Sequence, residues 1–383
     1  MNASPDSLDP RTRVAQLQGY TNRTTGSIVP PIDLSTTYER DQNYQLLGGR
    51  LYSRADNPGY EFVEKVVTEL EHGAASAVFA SGMAAATSVF FALKPGDHVI
   101  ASEVIYWALR SWMLEWAANW GVGLELVDTS SPAAVRAALQ PGRTRLLWVE
   151  TPANPTLAIT DIAALAELAH AVNAVLAVDS TFATPVFQQP LRLGADLVMH
   201  SATKYLNGHS DVIAGTLTTR IKDSFWDRIL RHRFQTGNVL GPVESWLLLR
   251  GLRTLFVRVE AQTRSAQTIA EHFAAYPGVE RVLYPGLPGH PGHNVARRNM
   301  HGGFGAMLSL QVDGAALEAL KVANGLQLWR RATSLGGVES LVEHRASVEP
   351  ATSPTPKNLL RLSVGLESVA DLIADLEQAL KKS

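Results

Sequence analysis

From about residue 60 to residue 220, short apolar runs alternate with longer amphipathic stretches. SAVFA precedes GMAAATSVFFAL, DHVIAS precedes YWALRSWMLEWAANW, LELVD precedes PAAVRAAL, and RLLWVE precedes DIAALAELAHAV; AVLAVDS, ADLVMHS and AGTLTTR follow. Short apolar runs separated by helical spacers mean crossover connections, so the seven runs predict a mostly parallel seven-stranded sheet with helices on both faces. In such sheets the chemistry collects at the carboxyl ends of the strands. Beyond about residue 246 the pattern changes. Helical patterns around WLLLRGLRTLFVRVEAQTRSAQTIAEHFAA, strands GAMLSLQV and LLRLSVG and a closing helix DLIADLEQALKK predict a smaller α+β domain. Residues 1–50 are polar and nearly aperiodic, with Pro30 and Pro31 adjacent, and read as an extended arm that grips a second subunit. The expected division is an arm over 1–50, a larger domain over 51–245 and a C-terminal domain over 246–383.

Composition narrows the function. At 383 residues the chain exceeds one ordinary core, and 46% hydrophobic with 18% charged residues suits a folded protein rather than a disordered one. A formal charge of −2 supplies no field that would draw it to nucleic acid or an anionic membrane, so the expected partner is a small molecule. Zero cysteines exclude disulfides, thiolate metal sites and thiol nucleophiles. The opening MNASPDSLDPRTR lacks the basic-then-apolar order of a secretion signal, and no uncharged apolar run approaches the roughly 18 residues of a membrane helix, so a cytoplasmic location is expected.

Several polar residues fall at predicted strand ends: Glu150, Asp179, and then Ser201, Thr203 and Lys204. If those strands are neighbours, the acids and the lysine converge on one crevice. A lysine beside small hydroxyls suits either a phosphate site or a Schiff base, because burial lowers its pKa and frees the amine for carbonyl attack. SGM at 81–83 follows a strand and opens a helix, which would aim the N–H groups of Gly82 and Met83 at an anion. No P-loop and no dinucleotide glycine fingerprint occurs, and GHSDVIAG at 208–215 is not a serine-hydrolase elbow. His290 and His293 sit in a Pro/Gly-rich loop without a third ligand, which reads as a solvated turn, and no metal is expected. Trp112, Trp116 and Trp120 share a helical face and read as core.

YSRADNP at 52–58, SGM at 81–83, ETPANP at 150–155, VDSTFATP at 178–185, SATKYLNGHSD at 201–211, RGLRTL at 250–255, SLGGVESL at 334–341 and RLSVGLE at 361–367 together resemble the cysteine/methionine-metabolism family of pyridoxal-phosphate (PLP) enzymes. Its members include cystathionine γ-synthase, cystathionine γ-lyase, cystathionine β-lyase and methionine γ-lyase. The resemblance spans about residues 30 to 383 and implies PLP fold type I, the aspartate-aminotransferase-like α/β architecture. It implies that Lys204 condenses with the cofactor aldehyde, that Asp179 pairs with the ring nitrogen and that Tyr106 stacks on the ring. Gly82, Met83, Ser201 and Thr203 would hold the phosphate, joined by Tyr52 and Arg54 of a neighbouring subunit in a homotetramer built as a dimer of dimers. Arg361 would clamp the substrate carboxylate, Asn154 would touch the ring oxygen or that carboxylate, and Ser334, Glu339 and Arg110 complete the expected substrate-binding set.

The implied activity is γ-elimination from a γ-substituted L-amino acid such as cystathionine. Leu335 and Glu339 resemble γ-type members, whereas the spacing from Tyr106 to Arg110 resembles β-lyases. Ala108 stands where methionine γ-lyases typically carry cysteine, and Leu51 where synthases often carry an acid. γ-Replacement, β-elimination, a γ-lyase for an oxygen-linked substrate such as canavanine, and a cofactor-holding regulator without turnover are the alternatives.

Overall fold

The computed structural model describes residues 8–350 and 353–382. Seven strands, β1 (Ala75–Phe79), β2 (His98–Ser102), β3 (Gly123–Val127), β4 (Thr144–Glu150), β5 (Val175–Asp179), β6 (Leu197–His200) and β7 (Gly215–Thr219), form one sheet in the order β1-β7-β6-β5-β4-β2-β3. Pairings are parallel from β6 through β5 and β4 to β2 and β3, and β7 runs antiparallel to both neighbours. The expected mostly parallel sheet is therefore present. Its strands bury both faces: Leu146 and Trp148 of β4 pack with Ala177, Met199 and Leu217, while Leu147 and Val149 pack with Leu176, Val178 and Val198. That two-sided burial explains why the strands read as continuous apolar runs.

The covering helices start where side chains can satisfy free N–H groups. Ser81 Oγ accepts from Ala84 N ahead of helix Gly82–Phe90, and Asp161 does the same for Ile162–Ala171. A second, smaller sheet follows: β8 (Val279–Leu283), β9 (Met307–Val312), β10 (Arg330–Arg331), β11 (Leu341–His344) and β12 (Leu359–Ser363), in the order β10-β11-β12-β9-β8. Leu308, Leu310, Leu360 and Leu362 share its core with Ile269 and Phe273 of helix Leu255–Phe273 and with Leu372 and Leu376 of the closing helix Val369–Leu380.

The helical patterns beyond residue 246 belong to two helices, Pro242–Leu252 and Leu255–Phe273, and Arg258 Nη2 of the second donates to the Gly251 carbonyl of the first at 2.8 Å. Three local readings change. The arm is not extended throughout: Asp9 and Pro10 start a helix over Pro10–Ala15, and Val14 and Leu17 are buried. Trp116 is buried and Trp112 stacks on it at 5.4 Å, but Trp120 is 47% exposed. His290 is buried rather than solvated, and that burial pushes its pKa down to about 4. Among the described residues no helix is long and apolar enough to cross a membrane.

Candidate active site

β4, β5 and β6 lie side by side, and Glu150 is in register with Asp179 at their carboxyl ends. A cavity of about 300 Å³ opens beyond them, lined by Gly82, Met83, Tyr106, Asn154, Asp179, Ser201, Thr203 and Lys204 of the expected set, together with Glu150, Thr181 and Leu335. Alternation places these groups: Met199 faces the cavity, so His200 turns to the opposite face, where it meets buried Glu71 at 2.6 Å. Ser201 and Lys204 follow on the turn beyond β6, and Lys204 N is tied back to the Ser201 carbonyl at 3.0 Å.

Lys204 Nζ donates to Ser334 Oγ at 2.7 Å. Burial, reinforced by the Arg361 cation, lowers its pKa to about 8. Arg361 is buried; it donates to Asn154 Oδ1 at 3.1 Å and to the Ser334 carbonyl at 2.9 Å, and it pairs with Glu343 at 2.7 Å. Ser334 therefore serves the lysine with its hydroxyl and the arginine with its carbonyl. It does so from φ 111°, a conformation costly for a residue with a Cβ, as positions that aim functional groups often are. Gly336, at φ 77°, brings the same loop onto the lysine turn, since a Cβ there would stand 2.7 Å from Tyr205 N.

Asp179 accepts from Thr181 N at 3.0 Å and Thr181 Oγ at 2.5 Å, and Thr181 Oγ in turn accepts from Ser201 N at 2.9 Å. Burial raises the Asp179 pKa, and no cation forms an ion pair with it among the described residues. Glu150 accepts from Tyr106 N at 2.9 Å and Asn154 N at 2.7 Å; burial, with Asp179 beside it, pushes its pKa up to about 8. The N-terminus of helix Gly82–Phe90 faces the same space, and a Cβ on Gly82 would stand 2.8 Å from Ser201 Oγ. The glycine lets the serine close against the helix start, so that the two border one cup in the cavity wall. Thr203 lines the cavity, yet its hydroxyl is engaged with the Ala214 backbone at 3.0 and 3.1 Å.

Six expected residues are outside the cavity lining: Ser334 and Arg361 join it through Lys204 and Asn154, and the other four lie elsewhere. Tyr52 is 44% exposed, with the Arg54 guanidinium 5.7 Å from its ring, and neither lines the cavity. Arg110 lines a neighbouring cavity of about 220 Å³ that shares Asn154, and its Nε donates to the Glu103 carbonyl at 3.2 Å. It sits one helical turn past Tyr106 and points toward Glu103, so it does not join the Lys204 set. Glu339 accepts from Ser210 Oγ instead of lining the cavity. Sequence reading missed Thr181, which bridges Asp179 to Ser201, and Glu343, the counter-ion of Arg361; Thr181 was signalled only by its place two residues past a strand-end acid.

Residues 11–381 match the Cys/Met metabolism PLP-dependent enzyme family. The chain belongs to that family. A cystathionine gamma-synthase from Mycobacterium tuberculosis is 42% identical over 97% of this chain and 96% of its own length. A cystathionine gamma-lyase from Dictyostelium discoideum is 39% identical over 99% of each chain. The crystal structure of metB from Corynebacterium glutamicum is 40% identical, superposes with a TM-score of 0.95 and covers 99% of this chain and 100% of that one. Membership makes this a PLP-dependent carbon–sulfur lyase or transferase of sulfur amino-acid metabolism.

The cavity fits the cofactor of this family on its own chemistry. A buried amine depressed to about 8 suits an aldehyde, the uncompensated Asp179 carboxylate suits a protonated ring nitrogen, and the cup at Gly82 and Ser201 suits a phosphate.

Proposed function

We propose that this enzyme catalyses γ-elimination from a γ-substituted L-amino acid of the cystathionine type, releasing a 2-oxo acid and ammonia. The observation that carries this reading is the depressed, buried Lys204 amine opening onto the cavity that also holds Asp179 and the helix start, with Arg361 reached through Ser334. Bound PLP supplies an electron sink for negative charge at the substrate Cα. Asp179 would hold the ring nitrogen protonated, Tyr106 would cover the ring, and the N–H groups of Gly82 and Met83, with Ser201 and Thr203, would take the phosphate. Arg361 and Asn154 fix the substrate carboxylate through donors that a lysine would not match. Lys204 Nζ takes the Cα proton and shuttles protons along the substrate, including the one from Cβ whose loss lets the γ-substituent leave.

Replacement at Cγ by a thiol is the second reading, favoured by the 42% identity to a γ-synthase. Both share the early proton transfers, and later barriers a few kcal/mol apart separate them. Assaying 2-oxobutanoate from L-cystathionine, and cystathionine from an activated homoserine plus cysteine, distinguishes them. Faster 2-oxobutanoate release supports elimination, and faster cystathionine formation supports replacement.

The same proposal assigns residues 51–245 to cofactor binding, residues 246–383 to a C-terminal domain and residues 1–50 to an intersubunit arm, in a cytoplasmic homotetramer. Exposed Tyr52 and Arg54, outside their own chain's cavity, then reach the phosphate of the neighbouring chain.

Lysine burial also predicts a pH dependence. Only the neutral amine captures the aldehyde, and Lys204 is lowered from 10.5 to about 8. The rate at which apoenzyme turns yellow on mixing with PLP therefore rises through about pH 8 and levels off above it. A rate still climbing tenfold per pH unit toward pH 10 would show a solvated, ordinary lysine.

A further inference from the structure

The Arg361 clamp does not stand alone. Glu343 is its register partner across β11 and β12, and one oxygen, Glu343 Oε2, lies 2.7 Å from Arg361 Nη2 and 2.5 Å from Arg345 Nη1. Two guanidinium groups thus share a single carboxylate oxygen, and all three side chains are at most 6% exposed. Arg345 is held from its other edge by Glu349, which accepts from Arg345 Nε at 3.0 Å and from the hydroxyls of Ser353 and Thr355 at 2.6 Å each. The cluster contains two cations and two anions, so it is neutral before any substrate arrives.

A carboxylate docking on Arg361 must compete with Glu343. Were Arg361 the sole partner of Glu343, the buried pair would neutralise itself and leave little attraction for a second anion. Arg345 takes up part of that negative charge and leaves the Arg361 guanidinium less committed to Glu343. We propose that Arg345 is a positioning residue that sets the affinity of the clamp for the substrate α-carboxylate by sharing Glu343 with Arg361. The inference rests on the reading that Arg361 receives that carboxylate.

The test uses holoenzyme and two probes, followed by the absorbance of the bound cofactor. Glycine carries an amine and a carboxylate but nothing to eliminate; methylamine carries the amine alone. Glu343→Gln keeps an acceptor for the guanidinium groups and removes the charge, so its glycine Kd falls about three- to tenfold. Arg345→Met hands Glu343 wholly to Arg361, so its glycine Kd rises about tenfold or more, whereas Arg345→Lys stays within about threefold of the parent. Methylamine binding changes less than about twofold in every variant. A merely structural role would weaken glycine binding in both Glu343→Gln and Arg345→Met. Unchanged or weaker glycine binding in Glu343→Gln overturns the inference, and that variant decides it even if Arg345→Met does not fold. A parent enzyme that binds methylamine but shows no preference for glycine overturns the Arg361 reading itself, and the inference with it.

Discussion

Lys204→Ala is expected to abolish both the yellow colour and turnover, with a loss of at least about 10⁴-fold in kcat. Two functions depend on one nitrogen. The amine, lowered to about 8 by burial and by Arg361, is suited to capture an aldehyde in this cavity, and in the proposed reaction it is also the proton carrier for the substrate carbon skeleton. The hydroxyl of Ser334, 2.7 Å away, orients it, and among the described residues no second lysine lines the cavity. Absorbance spectra and steady-state rates measure the effect. An alanine variant that keeps even a tenth of parental turnover would place the chemistry elsewhere.

Asp179→Asn has the second-largest expected effect. The amide still accepts from Thr181 through one oxygen, so the turn and the cofactor cup persist and PLP is retained. What disappears is the negative charge. Asp179 is buried without a cationic partner among the described residues, and that burial raises its pKa; a protonated ring nitrogen would supply the missing counter-charge, whereas an amide N–H₂ group favours the unprotonated ring. A loss of about 10²- to 10³-fold in kcat, with KM little changed and the enzyme still yellow, is expected. Equal loss of cofactor and activity would instead make the residue a structural support of the turn.

Legibility followed the range of the interactions. The seven strands could be read because they spell apolar runs, and the placing of Asp179 and Lys204 on one cavity could be read because the first ends a buried strand and the second follows four residues past another. β11 could not. Its LVEH is wholly buried with half its positions polar, because Glu343 finds Arg361 and Arg345, while His344 Nε2 meets the Lys357 carbonyl at 2.7 Å. Those partners are distant in sequence or turn back on the strand, and no local periodicity announces them. Arg110 shows the opposite failure: its spacing from Tyr106 was visible, but a single helical turn carried it into the adjoining cavity. Glu150 was noticed only as a strand end, although its two oxygens fasten Tyr106 and Asn154, which lie on different loops.

The most direct measurement is reductive trapping. Holoenzyme treated with borohydride, digested and analysed by mass spectrometry should carry the pyridoxyl adduct on the peptide that contains Lys204, at close to one group per chain, and on no other lysine. Label absent from that peptide, or spread across surface lysines such as Lys321 and Lys381, would contradict the assignment of the catalytic centre.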